Sequence, residues 1–255
     1  MTPLADMDAA TLRRIEGVLF DVDDTLTTHG ALTPSAYLAL SRLREHGLGA
    51  IAVTGRPLGW SDGMAASWPV DMAIGENGAG WAYRDGAGLR FGVFDPTISE
   101  VKRNALRTAV REAMPHVNEA DDQPARRCDI AWDVNERASL PEDDIDALLA
   151  LIEAAGARSF VSSVHAHAAF GAWDKAAGAR RAVVDAGLSV DLDRWVFIGD
   201  SANDAAAFAS FPTTVGVANV EAHLHRLAVP PRWVTQKQRG EGFEELVNAL
   251  IGARR

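Results

Sequence analysis

Cysteine is nearly absent: Cys128 is the only one in 255 residues. An intrachain disulfide is thereby excluded, and so is a cysteine-rich metal site. An excess of positive charge is missing too, since 25 Lys and Arg against 35 Asp and Glu leave a net charge of −10. Such a chain has no basic footprint for nucleic acid or an anionic membrane, and an anionic ligand would need local cations or a bound metal. No apolar run approaches membrane-spanning length. The opening MTPLADMDAATLRRIEG lacks the charged-then-apolar layout of a signal peptide, so a cytoplasmic protein is expected. Internal repeats and low-complexity tracts are absent as well. What remains is an ordinary globular composition, 47% hydrophobic and 24% charged, long enough for one large or two modest domains.

The outer parts of the chain alternate strand and helix. GVLFD (17–21) and GAIAVTG (49–55) read as buried strands, and MAIGENG (72–78) as a third. Between the first two lies a helix with Thr33 as N-cap, Pro34 at its first position and Gly47 closing it. The pattern resumes with a helix over 174–187, a strand RWVFIGD (194–200), a short helix, a strand TTVGVAN (213–219) and a final amphipathic helix. These near-continuous apolar strands predict an α/β fold, a Rossmann-like doubly wound parallel sheet. The middle differs: a hairpin over 84–94, two long helices, a half-buried strand over 128–134 and a strand or strand pair over 158–170. It reads as an inserted α+β domain, giving core 1–83, insertion 84–171 and core 172–255.

Residues 18–27, VLFDVDDTLT, run an apolar strand straight into three aspartates. Unpaired carboxylates so close together repel and are costly to desolvate. In open parallel sheets ligands bind beyond the carboxyl ends of the strands. Applied to each outer strand, that rule collects Asp21, Asp23 and Thr25, then Thr54, Gly55 and Arg56, then Asp200, Ser201, Asn203 and Asp204, with Asp174 and Lys175 opening the helix before the last set. Hard oxygen ligands, a hydroxyl and a lysine on one rim suit phosphoryl transfer with Mg²⁺, which also lets neighbouring carboxylates coexist.

DVDDT, VTG, a downstream lysine and GDSAND, in that order, resemble the haloacid dehalogenase-like (HAD) phosphohydrolases over about 21–83 and 172–245. The resemblance implies that Asp21 is the nucleophile forming an aspartyl-phosphate and that Asp23 is the acid and base, its backbone carbonyl also touching the metal. It implies that Thr54 and Lys175 hold the phosphoryl oxygens, that Asp200 ligates Mg²⁺, and that Asp204 is a ligand or supports one. Gly55, Arg56, Asn77, Ser201 and Asn203 are expected around the substrate. Asp24 departs from the family, which often has glycine there. The second aspartate argues for hydrolysis over dehalogenation, and the lack of membrane spans argues against a transport ATPase.

Arg56 and Lys175 lie 119 positions apart (175 − 56), far more than a strand–helix–strand connection needs. An insertion there matches the family's second cap class. IGENGAGWAYRDG (74–86), GVAN and VTQKQRGEGF (234–243) resemble the Cof-like, subfamily IIB sugar-phosphatase branch. The implied function is hydrolysis of a small phosphorylated metabolite, a sugar phosphate, by a monomer or homodimer. A phosphomutase or a non-catalytic sugar-phosphate-binding module are the alternatives. Within the cap, Arg126 and Arg127 stand either as a grip for a second anionic group or as a solvated pair. His165 and His167, two apart on a strand, point the same way, toward the cleft, a second metal or the sheet's polar surface. Arg127 and His165 are carried forward as substrate-binding candidates.

Overall fold

A computed structural model describes residues 1–86 and 88–254. In chain order the first part holds β1 (Thr2–Pro3), α1 (Ala9–Arg14), β2 (Gly17–Phe20), α2 (Pro34–Glu45), β3 (Gly49–Val53), α3 (Leu58–Ser67), β4 (Met72–Gly75), β5 (Gly80–Asp85) and β6 (Gly88–Val93). The middle holds α4 (Glu100–Ala113), β7 (Ile130–Asp133), α5 (Glu142–Ala154), β8 (Arg158–Val161) and β9 (His165–Ala169). The last part holds α6 (Lys175–Asp185), β10 (Trp195–Gly199), α7 (Ala205–Ser210), β11 (Thr213–Gly216), β12 (Trp233–Val234) and α8 (Arg239–Gly252).

Nine strands form one sheet in the order β1-β12-β11-β10-β2-β3-β4-β5-β6, parallel as far as β4. From β2 the chain moves outward through β3 and β4, and β10 later returns to the other side of β2. The topological switch point therefore lies between β2 and β10. Successive side chains of a strand face opposite ways, so Val18 and Phe20 pack under α2 and α8 while Leu19 packs with Phe197 against α6 and α7. Both faces are covered, which is why these strands are apolar throughout. Thr33 caps α2 by accepting from the Ala36 N–H, and Pro34 opens it, as its sequence predicts.

A second, three-stranded antiparallel sheet, β7-β9-β8, packs with α4 and α5 over its own core of Leu106, Val110, Ile130, Trp132, Leu148 and Ile152. The 158–170 stretch is thus a strand pair. One expectation is corrected here: the hairpin assigned to the insertion from residue 84 extends the large sheet instead. β5 pairs antiparallel with β4, because Trp81 and Ala82 are apolar and bury into the core layers. The inserted unit accordingly begins with the segment leading to α4. Leu58, Ala79, Cys128, Ala169 and Trp173 form a small apolar cluster between the two units. No helix of the described residues is long and apolar enough to cross a membrane.

Candidate active site

Register assembles the site. Phe20 pairs with Ile198 on one side and Ala52 on the other, so β2, β10 and β3 end within one residue of one another. The residues that follow these ends, Asp21, Asp200 and Thr54, therefore emerge side by side, and the Asp21 N–H continues the ladder to Ile198 O at 2.9 Å. Asp21, Asp200 and Asp204 each offer a carboxylate oxygen within 4.8 Å of one another, all buried.

Lys175, the first residue of α6, inserts its ammonium between two of them, 2.5 Å from Asp21 Oδ1 and 2.7 Å from Asp204 Oδ1. Burial works against the lysine's charge, but Asp204 and Asp21 outweigh it and hold its pKa above the ordinary value. The carboxylates fare differently. Burial, with Asp204 and Asp23 nearby, pushes Asp21 up to about 7 in spite of Lys175. Asp200 is raised well above its usual range by burial and then by Asp21 and Asp204. One lysine does not neutralise three buried aspartates, and an all-oxygen set with surplus negative charge fits a hard dication such as Mg²⁺.

The three acids are not equivalent. Asp204 accepts from the N–H groups of Asp200 and Ser201 through Oδ2, at 2.9 and 3.0 Å, and from Lys175 through Oδ1. Both of its oxygens are engaged within the protein, so it positions the loop and the lysine. Asp200 accepts from Asn219 Nδ2 at 3.0 Å and only distantly, at 3.5 Å, from Thr25 Oγ1. Thr54 accepts from the Arg56 N–H through Oγ1, which leaves its own hydroxyl hydrogen to donate.

Asp23 stands apart from the acids it was grouped with. Its side chain is outside the carboxylate cluster because Arg56 grips both oxygens, at 2.8–3.0 Å. The same guanidinium lies over the Trp60 ring and reaches into the inserted unit, 2.8 Å from Glu136 and 3.4 Å from Asp122. Glu136 in turn bonds His165 Nε2 at 2.9 Å; His165 and then Arg56 hold its carboxyl down to about 2. A cleft of about 510 Å³ opens here, lined by Asp23, Asp24, His29, Arg56, Asn135 and Glu136 among others. His165 itself is buried, so it meets this cleft only through Glu136. Asp24 sits at φ +55°, in the left-handed region that favours glycine, and its carboxylate bonds Arg239 Nε at 2.9 Å.

Asn203 links Ser201 to Asn77: it accepts from Ser201 Oγ and donates to Asn77 Oδ1, both at 3.0 Å. Gly55 lies against His167 and Asn77. Two cap expectations are corrected. Arg127 is not brought to the cleft; its guanidinium is half exposed and pairs with Asp62 of α3, because Glu76 holds its backbone N–H and turns the side chain outward. Arg126 is not solvated but fully buried, bonding Asp122, Asp129 and the Gly55 carbonyl. Sequence reasoning missed Asn219, Glu136 and the role of Glu76. The strand-end rule applied past β11 finds Asn219; Glu136 lies in a cap loop with no local signal.

No family model matches this sequence, and no curated protein does. Solved structures do. A protein of Thermoplasma acidophilum aligns with a TM-score of 0.73 at 19% identity, over 93% of this chain and 98% of its own. The sucrose-phosphatase of a Synechocystis species, solved with sucrose and phosphate, gives 0.67 at 15% identity, over 93% and 98%. A HAD subclass IIB sugar phosphatase gives 0.64 at 14% identity, over 93% and 99%.

Proposed function

We propose, from the HAD-type fold that this chain shares with those structures, that it is a phosphatase of a small phosphorylated metabolite, a sugar phosphate, with Mg²⁺ as its cation. The observation that supports this most is the convergence of Asp21, Asp200 and Lys175 in one buried cluster beside Thr54. A pure binding module has no use for a carboxylate whose second oxygen is left unbonded next to a lysine.

In this reading Asp21 Oδ2 attacks phosphorus while Lys175 holds Oδ1 and orients the carboxylate. Thr54 donates its hydroxyl hydrogen to a phosphoryl oxygen, and Lys175 stabilises the charge that develops there. The alcohol leaves with a proton from Asp23, and water then attacks the aspartyl-phosphate as Asp23 takes its proton back. Asp23 begins that work once the substrate takes over one of the contacts that Arg56 now makes with it. Asp21 and Asp200 would hold Mg²⁺ together with the Asp23 carbonyl, and the cation supplies charge neutralisation for phosphate and carboxylates alike. The inserted unit closes the cleft from water.

Asp21→Asn tests the reading. The variant is expected to fold, with release of phosphate from p-nitrophenyl phosphate reduced to background and EDTA reproducing that loss in the unaltered protein. Sustained turnover by the variant would remove Asp21 as nucleophile.

A further inference from the structure

Two buried polar atoms near Gly55 have no hydrogen-bond partner among the described residues, Asn77 Nδ2 and His167 Nε2. One belongs to the large sheet's unit, following β4, and the other to β9 of the inserted unit. Asn77 is 1% exposed and His167 0%. A Cβ placed on Gly55 would lie 3.1 Å from His167 Nε2 and 3.3 Å from Asn77 Oδ1, so both side chains converge on one glycine of the loop after β3. An unpartnered buried polar group is destabilising, so an incoming ligand that satisfies both gains affinity.

The network assigns each atom a role. Ser201 Oγ donates to Asn203 Oδ1 and Asn203 Nδ2 to Asn77 Oδ1, so the remaining amide nitrogen of Asn77 is a free donor. Asp129 accepts from Arg126 Nη1 through both oxygens, at 2.9 and 3.2 Å, and lies 3.0 Å from His167 Nδ1. Arg126 Nη1 is 3.5 Å from the same Nδ1, but the Asp129 carboxylate is nearer, so the hydrogen is assigned to Nδ1. Burial and then the charge of Arg126 hold the ring's pKa well below its ordinary value, which leaves Nε2 with a lone pair.

We propose that Asn77 and His167 read a hydroxyl group of the phosphorylated substrate, which accepts from the amide and donates to the imidazole. The proposal rests on the phosphatase reading and adds to it the residues that select the alcohol. A carboxylate or phosphate oxygen is disfavoured, because it brings no hydrogen to Nε2. Sites built to hydrogen-bond a substrate hydroxyl discriminate strongly against analogues lacking it.

Matched esters test this: ethyl phosphate against 2-hydroxyethyl phosphate, and propyl phosphate against glycerol 1-phosphate, compared by kcat/KM. The unaltered protein is expected to prefer each hydroxylated ester by about tenfold or more. His167→Phe and Asn77→Ala should bring the ratio close to one, whereas His167→Gln, with an amide oxygen to accept, should recover part of it. A ratio near one in the unaltered protein, with phosphate released from both esters, overturns the proposal and leaves the phosphatase reading standing. So does a ratio that survives His167→Phe, or a preference for the phosphate ester of glycolate that this variant abolishes. Release from no ester, p-nitrophenyl phosphate included, overturns the reading beneath it. Should the variants fail to fold, the unaltered protein's ratios decide alone.

Discussion

Asp200 and Asp204 stand four positions apart and share burial, yet their surroundings predict opposite responses to the same change. Asp204 meets two backbone N–H groups and an ammonium, so its charge is compensated. Asp204→Asn leaves Lys175 short of a partner and should destabilise the fold by about 3–5 kcal/mol in urea unfolding. Asp200 carries a charge that burial and its neighbours oppose. Asp200→Asn should leave metal-free stability unchanged or increased while eliminating turnover. Equal destabilisation by both would mean that Asp200 is structural. Glu76 makes a third case: at φ +48°, its buried carboxylate accepts from the N–H groups of Leu58, Arg127, Cys128 and Asp129. These donors hold the charge against burial and Asp129, which push the carboxyl up to about 7. Glu76→Gln turns an NH₂ group toward N–H donors and should cost about 2 kcal/mol or more, read from the same unfolding curves.

At the level of elements, the start of α6 depends on two glycines. Gly78, at φ +105°, approaches the helix so closely that a Cβ there would sit 2.2 Å from Asp174 O, and one on Gly178 would sit 2.3 Å from Gly78 Cα. Backbone meets backbone, so nothing can rotate aside. Gly178→Ala should destabilise by about 1–3 kcal/mol and, by shifting the turn that carries Lys175, lower kcat more than the stability loss explains. A variant with full activity would show that α6 can move without displacing the lysine. The caps, strand apolarity and helix extents were legible in sequence because they are local; this contact was not, since Gly78 and Gly178 are 100 positions apart (178 − 78). The β5–β6 hairpin was recognised as a hairpin, but its sheet was misjudged, because strand pairing is decided by what lies beside the strand.

At the scale of the whole molecule, the candidate metal site and the fold are linked through protons. Asp21 and Asp200 have folded pKa values above their unfolded ones, Asp21 reaching about 7. Without metal the folded chain therefore binds more protons than the unfolded one, and their contribution to stability declines as pH rises from about 4 to 7. A dication that binds the ionised pair removes this loss. The gain in thermal midpoint from Mg²⁺ should accordingly be larger near pH ~8 than near pH ~5, and absent in Asp200→Asn. A gain independent of pH, or kept in that variant, would place the cation elsewhere. The two units are joined by Arg56 to Glu136 and Asp122, by Arg126 to Gly55 O, and by Glu76 to residues 127–129. One guanidinium, that of Arg56, thus ties Asp23 of the large sheet's unit to Glu136 and Asp122 of the inserted unit.

The sequence alone determined the parallel α/β core, the presence of an inserted unit and the rim on which Asp21, Thr54, Lys175 and Asp200 meet. Each follows from short-range chemistry: apolar periodicity makes the strand, and the polar residue after it projects at the strand's end. Tertiary structure alone decided which polar side chains pair: Asp23 with Arg56, Arg127 with Asp62 at the surface, Arg126 in the interior with Asp129, and His165 and His167 with different acids. A charged side chain's partner is set by register and by packing between distant segments. Coulomb energy depends on separation and burial in space, neither of which is written in the order of residues.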